Sequence, residues 1–126
     1  MIYCSIGIIQ QNNYILSVSR KEDETDFGLP GGKVEPNETP EQGLCREILE
    51  ETGIKVIDYK LIGDRTVENK YKVYIYSILH WTGIPVQMEP KSLVKWLSKQ
   101  DLCSQKTFGN FNIHAFNLLY CSERKD

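Results

Sequence analysis

The sequence predicts a mixed α/β fold of layered strands and helices. Three observations carry this: β-branched or alternating runs at the front and in the middle of the chain, a capped amphipathic segment between them, and an apolar repeat of four near the C-terminus. At the front, IYCSIGIIQ is rich in β-branched residues, QNN is turn-prone and YILSVSR partly alternates, so the pair reads as a strand hairpin over residues 2–20. The charged run RKEDETD then reads as a loop. GLPGGKVEPNE carries three glycines and two prolines, which is loop chemistry with a short extended piece at Lys33 to Glu35.

A helix starts next, with Thr39 as N-cap, Pro40 at the first helical position and Gly53 as the stop signal. Residues 54–67 and 71–81 read as two strands joined at ENK, the second (YKVYIYSIL) alternating strongly. TGIPVQMEPKS is a loop, LVKWL a short strand or extended segment and SKQDL a helical turn. Phe111, Ala115 and Leu119, four apart, predict a C-terminal helix. No repeat, low-complexity tract or linker divides the chain, so residues 1–126 are expected to form a single domain. A chain of that length buries roughly two thirds of the surface its unfolded form exposes and needs no covalent staples.

Composition narrows the function. A formal charge of -2 argues against a protein held on nucleic acid or an anionic membrane by a general positive field, so no stable nucleic-acid complex and no membrane association are expected. Cys4, Cys45, Cys103 and Cys121 are scattered, without a C-x-x-C pair or histidines at zinc-ligand spacing, and are expected to be reduced apolar residues. His80 and His114 also lack ligand spacing. MIYCSIGIIQQNN has no basic n-region and only a short apolar run, so neither a signal peptide nor a membrane span is expected, and the cytoplasm is the default location. No feature of the sequence fixes the choice between monomer and homodimer.

The middle helix carries the chemistry. At about 100° per residue, Glu47, Glu50 and Glu51 fall within one arc, while Leu44, Cys45, Ile48 and Leu49 fill a broader neighbouring arc that should pack. Like charges at i, i+3 and i+4 repel, and a divalent cation reverses that sign. Hard carboxylate ligands suit Mg²⁺ or Mn²⁺, which bind through a few carboxylates together with substrate phosphates. Just upstream, LPGGK offers close backbone approach at Gly31 and Gly32 and a cation at Lys33, though a simple turn explains the same residues. Gly43 is costly inside a helix; room for a metal or substrate is one benefit, close packing by a neighbouring strand the other.

Taken together, GKVEPNETPEQGLCREILEETGI, residues 32–54, resembles the Nudix box, G-x5-E-x7-R-E-U-x-E-E-x-G-U with U aliphatic. All nine specified positions match: Gly32, Glu38, Arg46, Glu47, Ile48, Glu50, Glu51, Gly53 and Ile54. The preceding FGLPG is also similar to the family, with Phe27 where tryptophan is common. The resemblance implies the Nudix fold, an α/β/α sandwich with a mixed β-sheet, over essentially the whole chain. It implies a hydrolase that opens a diphosphate linked to another moiety, by water attack on phosphorus with Mg²⁺ or Mn²⁺. It makes Glu47, Glu50 and Glu51 the metal-binding carboxylates with the Gly31 carbonyl a further ligand, and Arg46 and Glu38 an ion pair that holds the box loop to the helix. The general base is Glu47, Glu50 or a carboxylate outside the box; Glu89 is nominated as an outside metal contact, with Glu68 its competitor. Arg20 stands where many relatives carry an arginine that reaches substrate phosphates.

Within the family, the run GGKVEPNETPEQ is most similar to MutT-like nucleoside triphosphate pyrophosphohydrolases. That implies a nucleoside or deoxynucleoside triphosphate, including an oxidised guanine nucleotide, cleaved to monophosphate and pyrophosphate. Base recognition would use Phe27 for stacking and Asn110 or Asn112 for reading an edge; helix capping is the other use for these asparagines. Tyr71 is read as a packing residue of its strand. Two rivals stand beside this expectation. One is an RNA 5′-end pyrophosphohydrolase, for which Lys91, Lys95, Lys99 and Lys106 are too dispersed to establish a groove. The other is a non-catalytic nucleotide-sensing module, a class that commonly loses the carboxylates retained here.

Overall fold

The structure, a computed structural model, describes residues 1–124. The strands are β1 (Ile2–Ile8), β2 (Gln10–Gln11), β3 (Tyr14–Arg20), β4 (Asp23–Gly28), β5 (Gly31–Lys33), β6 (Lys55–Val67), β7 (Tyr71–Thr82) and β8 (Val94–Ser98). The helices are α1 (Pro40–Thr52), α2 (Lys99–Cys103) and α3 (Gly109–Glu123). A mixed sheet runs β5-β1-β7-β6, with β1 parallel to β7 and antiparallel to β5. In a second, antiparallel sheet β3 pairs with β2, β4 and β8.

The alternation of β7 explains the layering. Val73 and Ile75 face a core with Ile15, Phe27, Ala115 and Phe116, whereas Tyr76 and Ile78 face a second core with Leu44 and Ile48. One core therefore lies under α3 and the other under α1, which is the expected α/β/α sandwich.

Two expectations at the front of the chain are corrected. β1 and β3 are not a hairpin; they belong to different sheets, and the tight hairpin is β2–β3. Between them the fully buried Ile9 marks the crossing, its carbonyl accepting from the Leu16 amide at 2.9 Å. Local turn chemistry at QNN was read correctly, but it joins Gln11 to Tyr14 instead of joining the two long strands. The run RKEDETD is no loop, because it contains the start of β4, whose Glu24 and Thr25 face solvent while Asp26, Phe27 and Gly28 are buried. Charge at one end of this strand masked it. The extended piece near Lys33 begins two residues earlier, at Gly31, because β1 offers Cys4 to Ile6 as its partners.

The middle helix forms as its caps dictate. Thr39 Oγ1 accepts from the Gln42 amide at 3.1 Å while Gln42 Oε1 accepts from the Thr39 amide at 2.8 Å, and Gly53 closes the helix at φ 77°. The packing face is Leu44, Ile48 and Thr52, one side chain every four residues, with Thr52 Oγ1 donating to the Ile48 carbonyl at 2.7 Å. Leu49 is therefore not a packing residue; it is 49% exposed. Gly43 is buried by close packing, though of a loop and not of a strand: a Cβ there would sit 3.1 Å from Glu38 Oε1 and 3.2 Å from Val34 Cγ2, both in the segment after β5.

Candidate functional site

The backbone at the start of β5 sets the site. Gly31 adopts φ 142°, and a Cβ on it would lie 2.1 Å from the Ser5 carbonyl oxygen, so only glycine fits. Its amide donates to Glu51 Oε1 at 2.8 Å. At the next residue a Cβ would lie 2.6 Å from the Glu47 carboxyl carbon, so Gly32 is the recess into which Glu47 folds. Two helix carboxylates are thus set against β5.

Arg46 organises the rest. It grips Glu38 with two hydrogen bonds, Nη2 to Oε1 at 2.6 Å and Nε to Oε2 at 3.0 Å, and donates to the Lys33 carbonyl at 3.0 Å. Its Nη1 reaches Glu47 at 3.1 Å and Glu50 at 3.0 Å. This guanidinium holds the Glu38 carboxyl down at about 2. Glu51 behaves in the opposite way, pushed up to about 8 by burial, with the Glu47 and Glu89 charges adding to the effect and the Gly31 amide opposing it. Burial also raises Glu47, again with a contribution from Glu89.

These donors fit a divalent cation. Their oxygens are hard, their charges oppose one another, and the buried Glu51 carries an unfavourable charge that a cation would offset. As they stand, with Arg46 on Glu47 and Glu50, no group of three carboxylate, imidazole or thiol side chains among the described residues is gathered as a metal site.

Beside these carboxylates lies a cavity of about 760 Å³, between the two sheets and the start of α3. Glu51, Gly31 and Gly32 line one part; Arg20, Asn110 and Asn112 line others. Asn112 is fully buried, its Nδ2 donating to the Leu102 carbonyl at 2.9 Å and its Oδ1 left without a hydrogen-bond partner. Neither asparagine caps α3, whose N-cap position is Phe108 and has no side-chain hydrogen bond. Arg20 Nη1 lies 3.0 Å from Thr107 Oγ1 and 3.4 Å from Asp26 Oδ2.

Phe27 is corrected: it is 5% exposed, belongs to the core and is absent from the cavity wall, because its strand turns it inward. The aromatics in the wall are Tyr71, Phe108 and Phe111; Phe108 had no assignment from the sequence, and Phe111 had only a place in the C-terminal helix. Their signal was the pattern F-G-N-F before an apolar helix, two rings three apart around an asparagine. Lys33 is exposed and off the cavity wall; its main chain serves Arg46. Glu89 lies 3.9 Å from Lys21 and within electrostatic reach of Glu47 and Glu51, whereas Glu68 lines the cavity from the β6–β7 turn at φ 56°. Tyr71 packs on the core under α3 and also touches the cavity. The four cysteines are free thiols, and among the described residues no helix is long and apolar enough to cross a membrane.

A mixed-sheet α/β/α sandwich with a carboxylate-bearing helix beside such a cavity has the architecture of Nudix hydrolases. The NUDIX domain model matches residues 4–119, and the chain belongs to that family. It is 34% identical over 103 residues to an 8-oxo-dGTP diphosphatase of Buchnera aphidicola subsp. Schizaphis graminum, covering 77% of each chain. A MutT-like protein of Streptomyces ambofaciens is 41% identical over 114 residues, 90% of this chain and 71% of the relative. Among solved structures, the MutT NUDIX hydrolase from Burkholderia pseudomallei superposes with a TM-score of 0.74 at 27% identity, covering 90% of this chain and 96% of that one.

Proposed function

We propose that the protein hydrolyses a nucleoside or deoxynucleoside triphosphate, an oxidised guanine nucleotide included, to the monophosphate and pyrophosphate, with Mg²⁺ or Mn²⁺ as cofactor. The observation that carries this is one cavity with Glu51 at one part of its wall and Asn112, whose Oδ1 has no hydrogen-bond partner, at another. At about 760 Å³ it has the size of an ordinary small-molecule site.

In this reading Glu47, Glu50 and Glu51, with the Gly31 carbonyl and Glu89, hold the cation. A bound divalent cation would neutralise phosphate oxygens and acidify the attacking water. Arg46 and Glu38 keep α1 against the box loop, and Arg20, which shares the cavity wall with Lys21 and Arg65, is the cation assigned to the phosphates. Glu47, Glu50 or a carboxylate outside the box serves as general base in this reading; burial raises the proton affinity of Glu47, which suits that use. Asn112 Oδ1, an acceptor, calls for a donor on the base; a guanine oxidised at C8 carries a hydrogen on N7, where guanine has only a lone pair. Phe108 and Phe111 take the stacking role expected of Phe27. The 5′-triphosphate of an RNA chain would place the same groups, and the names of the relatives above favour the mononucleotide.

The test is turnover with Mg²⁺ across ordinary and oxidised nucleoside triphosphates, ADP-ribose, diadenosine tetraphosphate and 5′-triphosphate RNA, with products resolved by chromatography. Pyrophosphate and monophosphate from a free triphosphate are expected. Orthophosphate release, or cleavage of only the RNA, would contradict the substrate assignment.

A further inference from the structure

Asp26 is a carboxylate that the sequence hid in a charged run and that the proposed chemistry does not use. It is 2% exposed, on β4. Its Oδ1 accepts from the Thr107 amide at 3.2 Å, and its Oδ2 accepts from the Thr107 hydroxyl and, at 3.4 Å, from Arg20 Nη1. The Thr107 hydroxyl in turn accepts from the same Arg20 nitrogen at 3.0 Å, which closes a triangle of three side chains. A buried carboxylate so fully partnered is held in one place, and so are its partners.

Its location gives that rigidity a use. Thr107 directly precedes Phe108, where α3 begins without a side-chain cap of its own. The next residue of β4 repeats the tie, the Phe27 amide donating to Gln105 Oε1 at 2.7 Å, and the Phe108 ring lies over Gly28, 2.8 Å from where a Cβ would stand. β4 thus anchors the segment that bears Phe108, Asn110 and Asn112, and its Asp26 carboxylate also anchors the Arg20 guanidinium, which lines the same cavity.

We infer that Asp26 is a positioning residue that sets Arg20 and the start of α3 together, so that one side chain aligns the phosphate-side cation and the base-side wall of the cavity. This rests on the nucleotide reading above. Misplacing binding groups by about 1 Å costs on the order of 100-fold in favourable cases. With Arg20 and α3 both released, affinity for the nucleotide falls more than the reaction rate, because the carboxylates on α1 lie apart from this triangle.

The experiment is steady-state kinetics of Asp26→Asn and Thr107→Ser beside the wild type, on the nucleoside triphosphate it cleaves best, with a thermal melt of each. Asp26→Asn keeps the shape but sets an amide donor against Arg20; its KM is expected to rise at least about tenfold with kcat within about threefold. Thr107→Ser, which keeps both donors, should remain within about twofold of wild type in both constants. If Asp26→Asn fails to fold, Thr107→Val, which deletes only the hydroxyl corner, is expected to raise KM by about threefold or more with kcat held. A folded Asp26→Asn with unchanged KM, or a loss confined to kcat and melting temperature, would overturn the positioning role while leaving the hydrolase reading intact. No turnover by wild type on any nucleotide would instead remove that reading, and this inference with it.

Discussion

Glu38 and Glu51 sit about one helix length apart in sequence, and their environments push them in opposite directions. For Glu51 the folded value of about 8 lies above the ordinary carboxylate value of 4.5, so the folded state binds more protons than the unfolded one between these limits. Stability therefore falls as pH rises through that window in metal-free protein. Melting temperatures between pH 5 and 9 in chelator are expected to decline more steeply for wild type than for Glu51→Gln, and saturating Mg²⁺ should remove most of the difference. Parallel curves in chelator would contradict this. Glu38 has the reverse sign: its folded value of about 2 is depressed by Arg46, so its contribution is present above about 4.5 and lost as pH falls through about 2. Glu38→Gln is expected to melt below wild type at pH 7, with the gap closing as pH falls toward 2. The identity of these residues was legible from a motif of fixed spacing. Their proton affinities were not, because those depend on burial and on amides such as that of Gly31.

At the level of elements, α1 was the most legible part of the chain, since Thr39, Pro40, Gln42 and Gly53 write both ends locally. Thr39→Ala removes the side-chain half of the capping box and should cost about 1 kcal/mol. For a chain of this size that lowers the melting temperature by about 3–5 °C, measurable by calorimetry with Mg²⁺ absent. A larger effect on activity than on stability would show that the helix start, and not only its carboxylates, tunes the site. β4 was the least legible element. Its polar residues Asp23, Glu24 and Thr25 stand where the strand emerges into solvent, and Asp26 looks like one more surface charge until Thr107 and Arg20 are brought to it. The placement of β1 and β3 in different sheets was hidden for a related reason. Adjacent runs usually pair, and only the partners Val73 and Lys33, distant in sequence, draw β1 elsewhere.

Across the whole molecule, the two sheets splay around a cavity into which α1 contributes Glu51, β3 contributes Arg20 and α3 contributes Asn112. The carboxylate half was readable because its residues lie within one contiguous motif. The half proposed to face the base was only partly readable, since Phe108, Phe111 and Asn112 reach the cavity by long-range packing and Phe27 lies in the core. The central claim is that the α1 carboxylates act on a triphosphate held in this cavity. The most direct test is the rate of pyrophosphate release from that triphosphate by Glu51→Gln at saturating Mg²⁺, with folding verified by its melt. A fall in kcat of at least about 100-fold is expected, since a charged ligand of the cation is replaced by a neutral amide; a folded Glu51→Gln that releases pyrophosphate at the wild-type rate would contradict it.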